Sequence, residues 1–206
     1  VAREALAHAI GYGQPLVHDE YLLRLARSDN EDVLLSVARS MGNAPTERFI
    51  PDLLRMLARR RVRDEACKTL VALGDAALPV LDAALVDVDE DPRVRRQLPR
   101  TIAMFDPRRA ASILTARLTE VDDGGVRYRI LRALNRLVAE HPDLRLDRRP
   151  LFAGLEQTIG QAYRLLDWRL TLERGVAEND ARSATTHGLL VKMLRDKEEN
   201  TKERVF

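Results

Sequence analysis

A helix-like pattern recurs five times along this chain, and it constrains the fold more than any other feature. Its five units begin at valines spaced by 32, 29, 32 and 32 residues: Val1, Val33, Val62, Val94 and Val126. Apolar residues follow each valine by four and by eight positions, which matches the period of one helix face. A fixed period of this length is typical of stacked repeats, in which one unit cannot bury its own apolar face. We therefore predict an all-α fold of helical hairpins.

Residues that favour helix starts and helix ends divide each unit into two predicted helices. In the third unit the first helix is predicted to open near Val62 and to stop at Gly74, because glycine tolerates the left-handed backbone of a helix end. In the fourth unit Asp91 is predicted to cap a helix that is led by Pro92 and continues to Phe105. The spacing predicts a right-handed α-solenoid of about five hairpins over residues 1–149, with units starting near 1, 33, 62, 94 and 126.

The repeat pattern ends after about residue 140. Apolar residues over 151–176 predict one long amphipathic helix, and residues 150–206 are predicted to form capping helices that close the array. A second apolar stripe on this helix contains Leu165, Trp168 and Leu172. Two interpretations stay open for that stripe: contact with the last repeat and the final helix, or a docking face for another molecule. Since Val1 and Phe206 both fall within helical patterns, we expect a domain truncated from a longer protein.

Charge is distributed unevenly, although the net charge is only +2. Residues 1–92 carry 11 basic and 16 acidic side chains, whereas residues 93–149 carry 14 basic and 7 acidic ones. Of the 34 basic residues, 30 are arginine. This preference has two interpretations: a genome rich in arginine codons, or a surface that binds carboxylate or phosphate with arginine's planar fork.

Two sets of arginines are candidates for a role. The first set directly follows the repeat valines, and we interpret it as a structural ladder that bonds to the preceding turns: Arg63, Arg95 and Arg127. The second set recurs at one phase of the repeat and is the candidate binding stripe: Arg96, Arg100, Arg129, Arg132 and Arg136. We predict that Arg100 and Arg132 lie on the exposed side of their helices. A continuous positive stripe could follow a phosphate backbone.

The array resembles the HEAT-like repeats of the short type first associated with phycobilin lyases. Three segments of the sequence carry this resemblance, which covers residues 1–140: Arg61-Val62-Arg63-Asp64-Glu65-Ala66, Leu73-Gly74-Asp75 and Asp91-Pro92-Arg93-Val94-Arg95. It implies a helical-repeat fold and says little about activity.

The C-terminal part is similar to the tail of bacterial HEAT-repeat domains fused to ATP/ADP-translocase-like major-facilitator transporters. The similar segments are Tyr163-Arg164-Leu165-Leu166, Leu189 to Leu194, and Glu198 to Phe206. This resemblance implies a bacterial module in the cytoplasm, at the inner face of the inner membrane, tethered to transmembrane helices of the parent protein. The chain itself has no uninterrupted apolar run of 18 residues, so we predict that this segment does not insert into the membrane.

Groups suited to catalysis are sparse. The four histidines form no His-Glu pair of the kind on which di-iron HEAT enzymes such as deoxyhypusine hydroxylase depend, and Cys67 has no partner cysteine. A HEAT-like DNA glycosylase would use Trp, Asp and Arg together, but Asp167-Trp168-Arg169 are adjacent on one helix and point in different directions. With 4% aromatic residues, the chain offers little for a bilin groove.

We therefore predict a non-catalytic scaffold that needs no metal or cofactor and binds a protein partner. Nucleic-acid binding by the arginine stripe is the alternative.

Overall fold

The computed structural model of the chain describes residues 2–10, 15–174 and 181–202. Within these residues there are twelve α-helices and no β-strand, which confirms the all-α prediction. Short 3-10 turns at Glu47–Phe49 and Gly74–Ala76 precede the fourth and sixth helices. In chain order the helices are α1 Ala2–Ile10, α2 Pro15–Leu25, α3 Glu31–Asn43, α4 Ile50–Met56, α5 Arg63–Ala72, α6 Leu78–Val86, α7 Pro92–Arg95, α8 Leu98–Ile102, α9 Pro107–Arg117, α10 Gly124–Glu140, α11 Arg148–Arg174 and α12 Ala181–Lys202.

Aspartates in the turns start several of the helices. The Asp91 carboxylate accepts a hydrogen bond from the Arg93 backbone N–H at 2.7 Å, and Asp106 and Asp123 cap α9 and α10 in the same way. Each cap satisfies a donor that the first helical turn leaves without a partner. At the other end of α5, Gly74 has a φ of 60°, so the glycine adopts the left-handed conformation predicted for this stop.

The core is formed by the repeated apolar positions, as predicted from their period. Val33, Val62, Val94 and Val126 are all buried, and so are the residues four and eight positions after each of them. Corresponding helices contact one another along the chain: α1 packs on α3, α3 on α5, and α8 on α10. On the other side of the hairpins, α6 packs on α9, and α9 on α11.

The predicted register of the first unit is wrong. Val1 lies outside the described residues, and Ala5 and Ala9 are exposed, whereas Ala7 is fully buried. Among the described helices, α1 packs mainly against α2 and α3. A narrow part of the surface of α1 is therefore covered. In the later units, each first helix between two neighbours buries a wider face.

Hydroxyl side chains connect consecutive first helices. Ser40, Thr69 and Thr101 each stand seven residues after a repeat valine, and all three are buried. The Ser40 hydroxyl donates to the Ala7 carbonyl at 2.5 Å, and the Thr69 hydroxyl donates to the Ala38 carbonyl at 2.9 Å. Thr101 differs, because its hydroxyl bonds the Gln97 carbonyl of its own helix and lies 3.1 Å from the sulfur of Cys67. We call these three residues the hydroxyl rungs.

Replacing Thr69 by valine is expected to lower the free energy of unfolding by about 1 kcal/mol, because one buried hydrogen bond between α3 and α5 is lost while the side-chain volume stays nearly constant. The matched control is Thr115→Val. Thr115 is also buried, but its hydroxyl has no hydrogen-bond partner, so its removal should be neutral or stabilising. Chemical denaturation of both variants measures the difference, and equal losses would contradict a role for the rung.

The first helix of the fourth unit is broken, which differs from the predicted continuous helix up to Phe105. It consists of α7 and α8, separated by a turn at Arg96 and Gln97. Pro99 explains the break, because it has no N–H to donate to the carbonyl four residues earlier and its ring collides with that carbonyl. The Gln97 N–H bonds the Val94 carbonyl at 2.7 Å, a tight turn that places Arg96 at the corner.

The long C-terminal helix is present as predicted, and α11 packs against both α9 and α12. Its contact with α9 is unusually close, because a Cβ atom added at Gly154 would lie 2.7 Å from Cγ of Leu118. Gly154 and Thr158 are buried there, while Phe152 and Tyr163, which are among the apolar residues over 151–176, are exposed. Beside Leu118 the helix therefore packs through small residues, and Leu151 adds an apolar contact with the core.

Candidate functional site

Six arginines line one open groove with a volume of about 1060 Å³. It is formed by the start of α5, the break between α7 and α8, and one face of α10. The arginines are Arg63, Arg96, Arg100, Arg129, Arg132 and Arg136, and we refer to this site as the arginine groove. It contains all five residues of the predicted binding stripe, together with Arg63 from the predicted ladder.

Local structure explains why these side chains converge. Arg63 is the first residue of α5, and Arg96 occupies the corner after α7. Arg129, Arg132 and Arg136 are three and four residues apart in α10, so they project from one helix face. Arg63, Arg96 and Arg129 are separated by 33 residues each, close to the repeat period, so stacking of the units brings them side by side.

Two of the six arginines have carboxylate partners. Arg100 lies 3.1 Å from Asp64, and Arg136 lies 2.7 Å from Glu140. The four side chains of these pairs are at least half exposed to solvent, where an ion pair contributes little to stability. Arg100 and Arg132 are exposed on their helices, as predicted.

The other four arginines make no ion pair with the residues that the structure describes: Arg63, Arg96, Arg129 and Arg132. Mutual repulsion is evident at Arg129. Partial burial lowers the pKa of its guanidinium, and the neighbouring charges of Arg96, Arg132 and Arg63 lower it further. The arginine groove thus holds positive charge that has no counterpart among the described side chains.

Because of this repulsion, Arg129→Gln is expected to stabilise the fold by about 0.5 kcal/mol at low ionic strength, the size of a like-charge contact between neighbouring side chains. The gain should shrink as salt is added, since salt screens exposed charges. Arg100→Gln is the control, because Arg100 is paired with Asp64 and its loss should give no gain. Thermal unfolding at two salt concentrations checks the prediction, and a destabilised Arg129→Gln protein would contradict it.

The predicted ladder arginines have three different environments. Arg95 is buried and its Nε donates to the Leu85 carbonyl at 3.4 Å. Arg127 is also buried, and its guanidinium donates to the Asp122 carbonyl at 3.1 Å and to Oε1 of Gln157 at 3.0 Å. Burial lowers the pKa of Arg127. Arg63 is half-buried, and its Nε is buried without a hydrogen-bond partner.

The candidate docking face on α11 is partly open. Trp168 is 57% exposed, while Leu165 and Leu172 are half-buried. These three side chains lie outside the lining of the arginine groove, and so do Asp167 and Arg169. The Asp-Trp-Arg set considered for a glycosylase is therefore separate from the positive site.

Some residues of the arginine groove were not identified from the sequence. Met104, Phe105 and Tyr128 add apolar surface to its lining. His141 is the C-cap of α10 and also lines the groove. Arg63, Arg96 and Arg129 are spaced by 33 residues in the sequence. This spacing could have been used to assign Arg63 to the binding stripe instead of the structural ladder.

Among the described residues, no group of three or more His, Cys, Asp or Glu side chains is placed to hold a metal ion. In the same ranges no single helix is long and apolar enough to cross a membrane. One pair of helices, Arg63–Ala72 with Gly74–Val86, reaches that length and composition only together and is bent by 111°.

The described residues have the fold of an all-α helical-repeat protein with an arginine-lined groove. Residues 58–135 match the family profile of HEAT repeats, so this part of the chain is a HEAT-repeat region. The matched residues extend from before α5 into α10 and include every groove arginine except Arg136. No curated protein and no solved structure matches the chain at a significant level.

Proposed function

We propose that this chain is a non-catalytic protein-interaction module that binds its partner in the arginine groove. The observation that carries the proposal is the set of four unpaired arginines at the junction of successive HEAT units. HEAT repeats commonly mediate protein interactions, and the groove lies almost entirely within the matched region. Guanidinium groups remain protonated and serve as hydrogen-bond donors, which suits recognition of anions better than acid–base catalysis.

The proposed architecture extends the HEAT region to a right-handed α-solenoid of about five units over residues 1–149, closed by the helices of residues 150–206. The contacts of α1 with α3, of α3 with α5 and of α8 with α10 support this arrangement. The burial of the repeat valines in four successive units supports it as well. In such an array the surfaces between neighbouring units form extended binding sites.

Site-specific photo-crosslinking in cells of the source organism tests the binding site. A photoreactive phenylalanine derivative replaces Met104, which is 43% exposed in the arginine groove, or Val88, which is 70% exposed and outside it. We expect a discrete protein adduct from position 104 and none from position 88. Adducts of equal yield from both positions, or none from either, would overturn the proposed site.

Nucleic-acid binding is the second candidate function, because unpaired arginines also bind phosphates. If the four unpaired arginines each neutralise one phosphate, log affinity for single-stranded DNA should fall against log salt with a slope of about −3. Titrations of a labelled oligonucleotide at several salt concentrations measure this slope. A shallow slope would leave the protein partner as the only candidate of the two.

The cellular setting is proposed from the C-terminal resemblance: a bacterial module at the cytosolic face of the inner membrane, carried by a transporter-like parent protein. An antibody raised against residues 1–206 can detect the native product. We expect a membrane-bound species much larger than 23.3 kDa. A species of about that mass in the cytosolic fraction would disprove the tether while leaving the binding function open.

A further inference from the structure

We propose that the occupant of the arginine groove is an extended, carboxylate-rich segment of a partner protein. This inference rests on the proposed function and specifies the chemistry of the partner. Four observations support it: the alignment of three arginines, the number of unpaired charges, the carboxylates at the rim, and the apolar lining.

The alignment sets the length of the occupant. Arg63, Arg96 and Arg129 come from three successive units, and the charges of Arg96 and Arg63 both lower the pKa of Arg129. Packed helices lie about 8–10 Å apart, so three rows span about 20 Å. An extended peptide advances about 3.3 Å per residue, so about six residues cover that span. A short acidic segment is therefore long enough to reach all three rows.

Guanidinium geometry explains how such a segment would be held. Arginine presents parallel N–H donors that fit the two oxygens of a carboxylate, which gives orientation as well as attraction. A ligand would also relieve an unfavourable feature of Arg63, because its Nε is buried without a hydrogen-bond acceptor. A bound carboxylate that draws this side chain outward would satisfy a donor that is unpaired in the free protein.

The rim of the arginine groove favours a peptide over a phosphate backbone. Asp123 and Glu140 also line the groove, and Asp64 lies beside Arg100. A nucleic acid carries a charge on every nucleotide and would bring some phosphates against these carboxylates. A peptide can instead place neutral or basic residues opposite them.

The apolar and aromatic residues that line the arginine groove also favour a peptide over a nucleic acid. Met104, which is 43% exposed, offers an apolar contact suited to a side chain of a protein segment. The aromatic side chains of the groove, Phe105 and Tyr128, are both half-buried, whereas base stacking needs an open ring face.

Fluorescence anisotropy with defined probes tests the inference. The first probe is a labelled octapeptide with pairs of glutamates separated by single leucines, and its glutamine analogue has the same shape without charge. The third probe is a labelled oligothymidylate of eight nucleotides. We expect the acidic peptide to bind more tightly than the other two, and its affinity to fall as salt is added.

Paired variants locate the binding. Arg96→Gln combined with Arg129→Gln removes two unpaired arginines of the arginine groove and should weaken peptide binding by about tenfold or more. Arg48→Gln combined with Arg60→Gln removes two exposed arginines outside the groove and should change affinity by less than about twofold. Circular dichroism verifies that both proteins remain helical.

Each result has a separate meaning. Selective loss in the groove variant supports the inference. Tighter, arginine-dependent binding of the oligonucleotide overturns it and favours the nucleic-acid function. Failure of the acidic peptide to bind also overturns it, and a protein adduct at position 104 would then show that the proposed interaction function survives with a partner of other chemistry.

Discussion

Replacing Gly154 by leucine will detach α11 from α9 and lower the free energy of unfolding by about 2 kcal/mol. A Cβ atom at this position would already lie 2.7 Å from Cγ and 2.9 Å from Cδ2 of Leu118. Leu118 is fully buried, so it has no space into which it can withdraw. Overpacking costs about 1–3 kcal/mol, with the largest residues at the upper end. This loss exceeds the gain of somewhat less than 1 kcal/mol from replacing glycine by leucine within a helix.

The matched control for this change lies in the same helix. Gly160 has only the guanidinium tip of Arg164 near an added Cβ, at 3.8 Å, so Gly160→Leu keeps the propensity gain without the collision. Denaturant unfolding should show opposite signs for the two leucine variants. Hydrogen exchange should show faster exchange in α11 of the Gly154 variant alone. Similar stability of the two proteins would mean that α11 does not dock through Gly154.

Truncating Phe49 to alanine will cost about 3–5 kcal/mol, the largest effect that we expect from a single substitution. Phe49 is the largest of the fully buried side chains, and it lies in the 3-10 turn that leads into α4. Its removal leaves a cavity, because close-packed neighbours relax only in part. A loss of this size is a large fraction of the stability of a typical domain, so partial unfolding at moderate temperature is expected.

Phe152→Ala provides the comparison, since it deletes the same atoms from a side chain that is 63% exposed. We expect that change to stay within about 0.5 kcal/mol. Thermal melts followed by circular dichroism measure both variants. If the two alanine substitutions were equally harmful, the burial of Phe49 would not be the cause of the loss.

Those parts of the repeat architecture that depend on a single local rule could be predicted from the sequence. The apolar period alone identifies the buried positions of the later units, and Asp91 and Gly74 mark helix ends because their backbone chemistry is local. The first unit was placed in the wrong register, since the exposure of Ala5 depends on how few neighbours α1 has. Pro99 was a visible signal for the break between α7 and α8, but the apolar period continued through it.

The candidate site could be predicted only in part. Exposure of Arg100 and Arg132 follows from their phase on the helix, whereas their partners depend on distances between helices. Asp64, the partner of Arg100, belongs to the preceding unit. The hydroxyl rungs were missed for a related reason, because Ser and Thr are typical of caps and turns and their inter-helix bonds appear only after packing.

The hydroxyl rungs have a consequence for how such a protein can diverge. Ser40 and Thr69 join neighbouring helices with uncharged groups, so these joints are independent of the charges in the arginine groove. Arginines of the groove can therefore be gained, lost or replaced by acidic residues without breaking these two hydrogen bonds. A sequence that keeps Ser40 and Thr69 can change the charge of its groove while the packing of its helices is preserved, so the surface can diverge faster than the architecture.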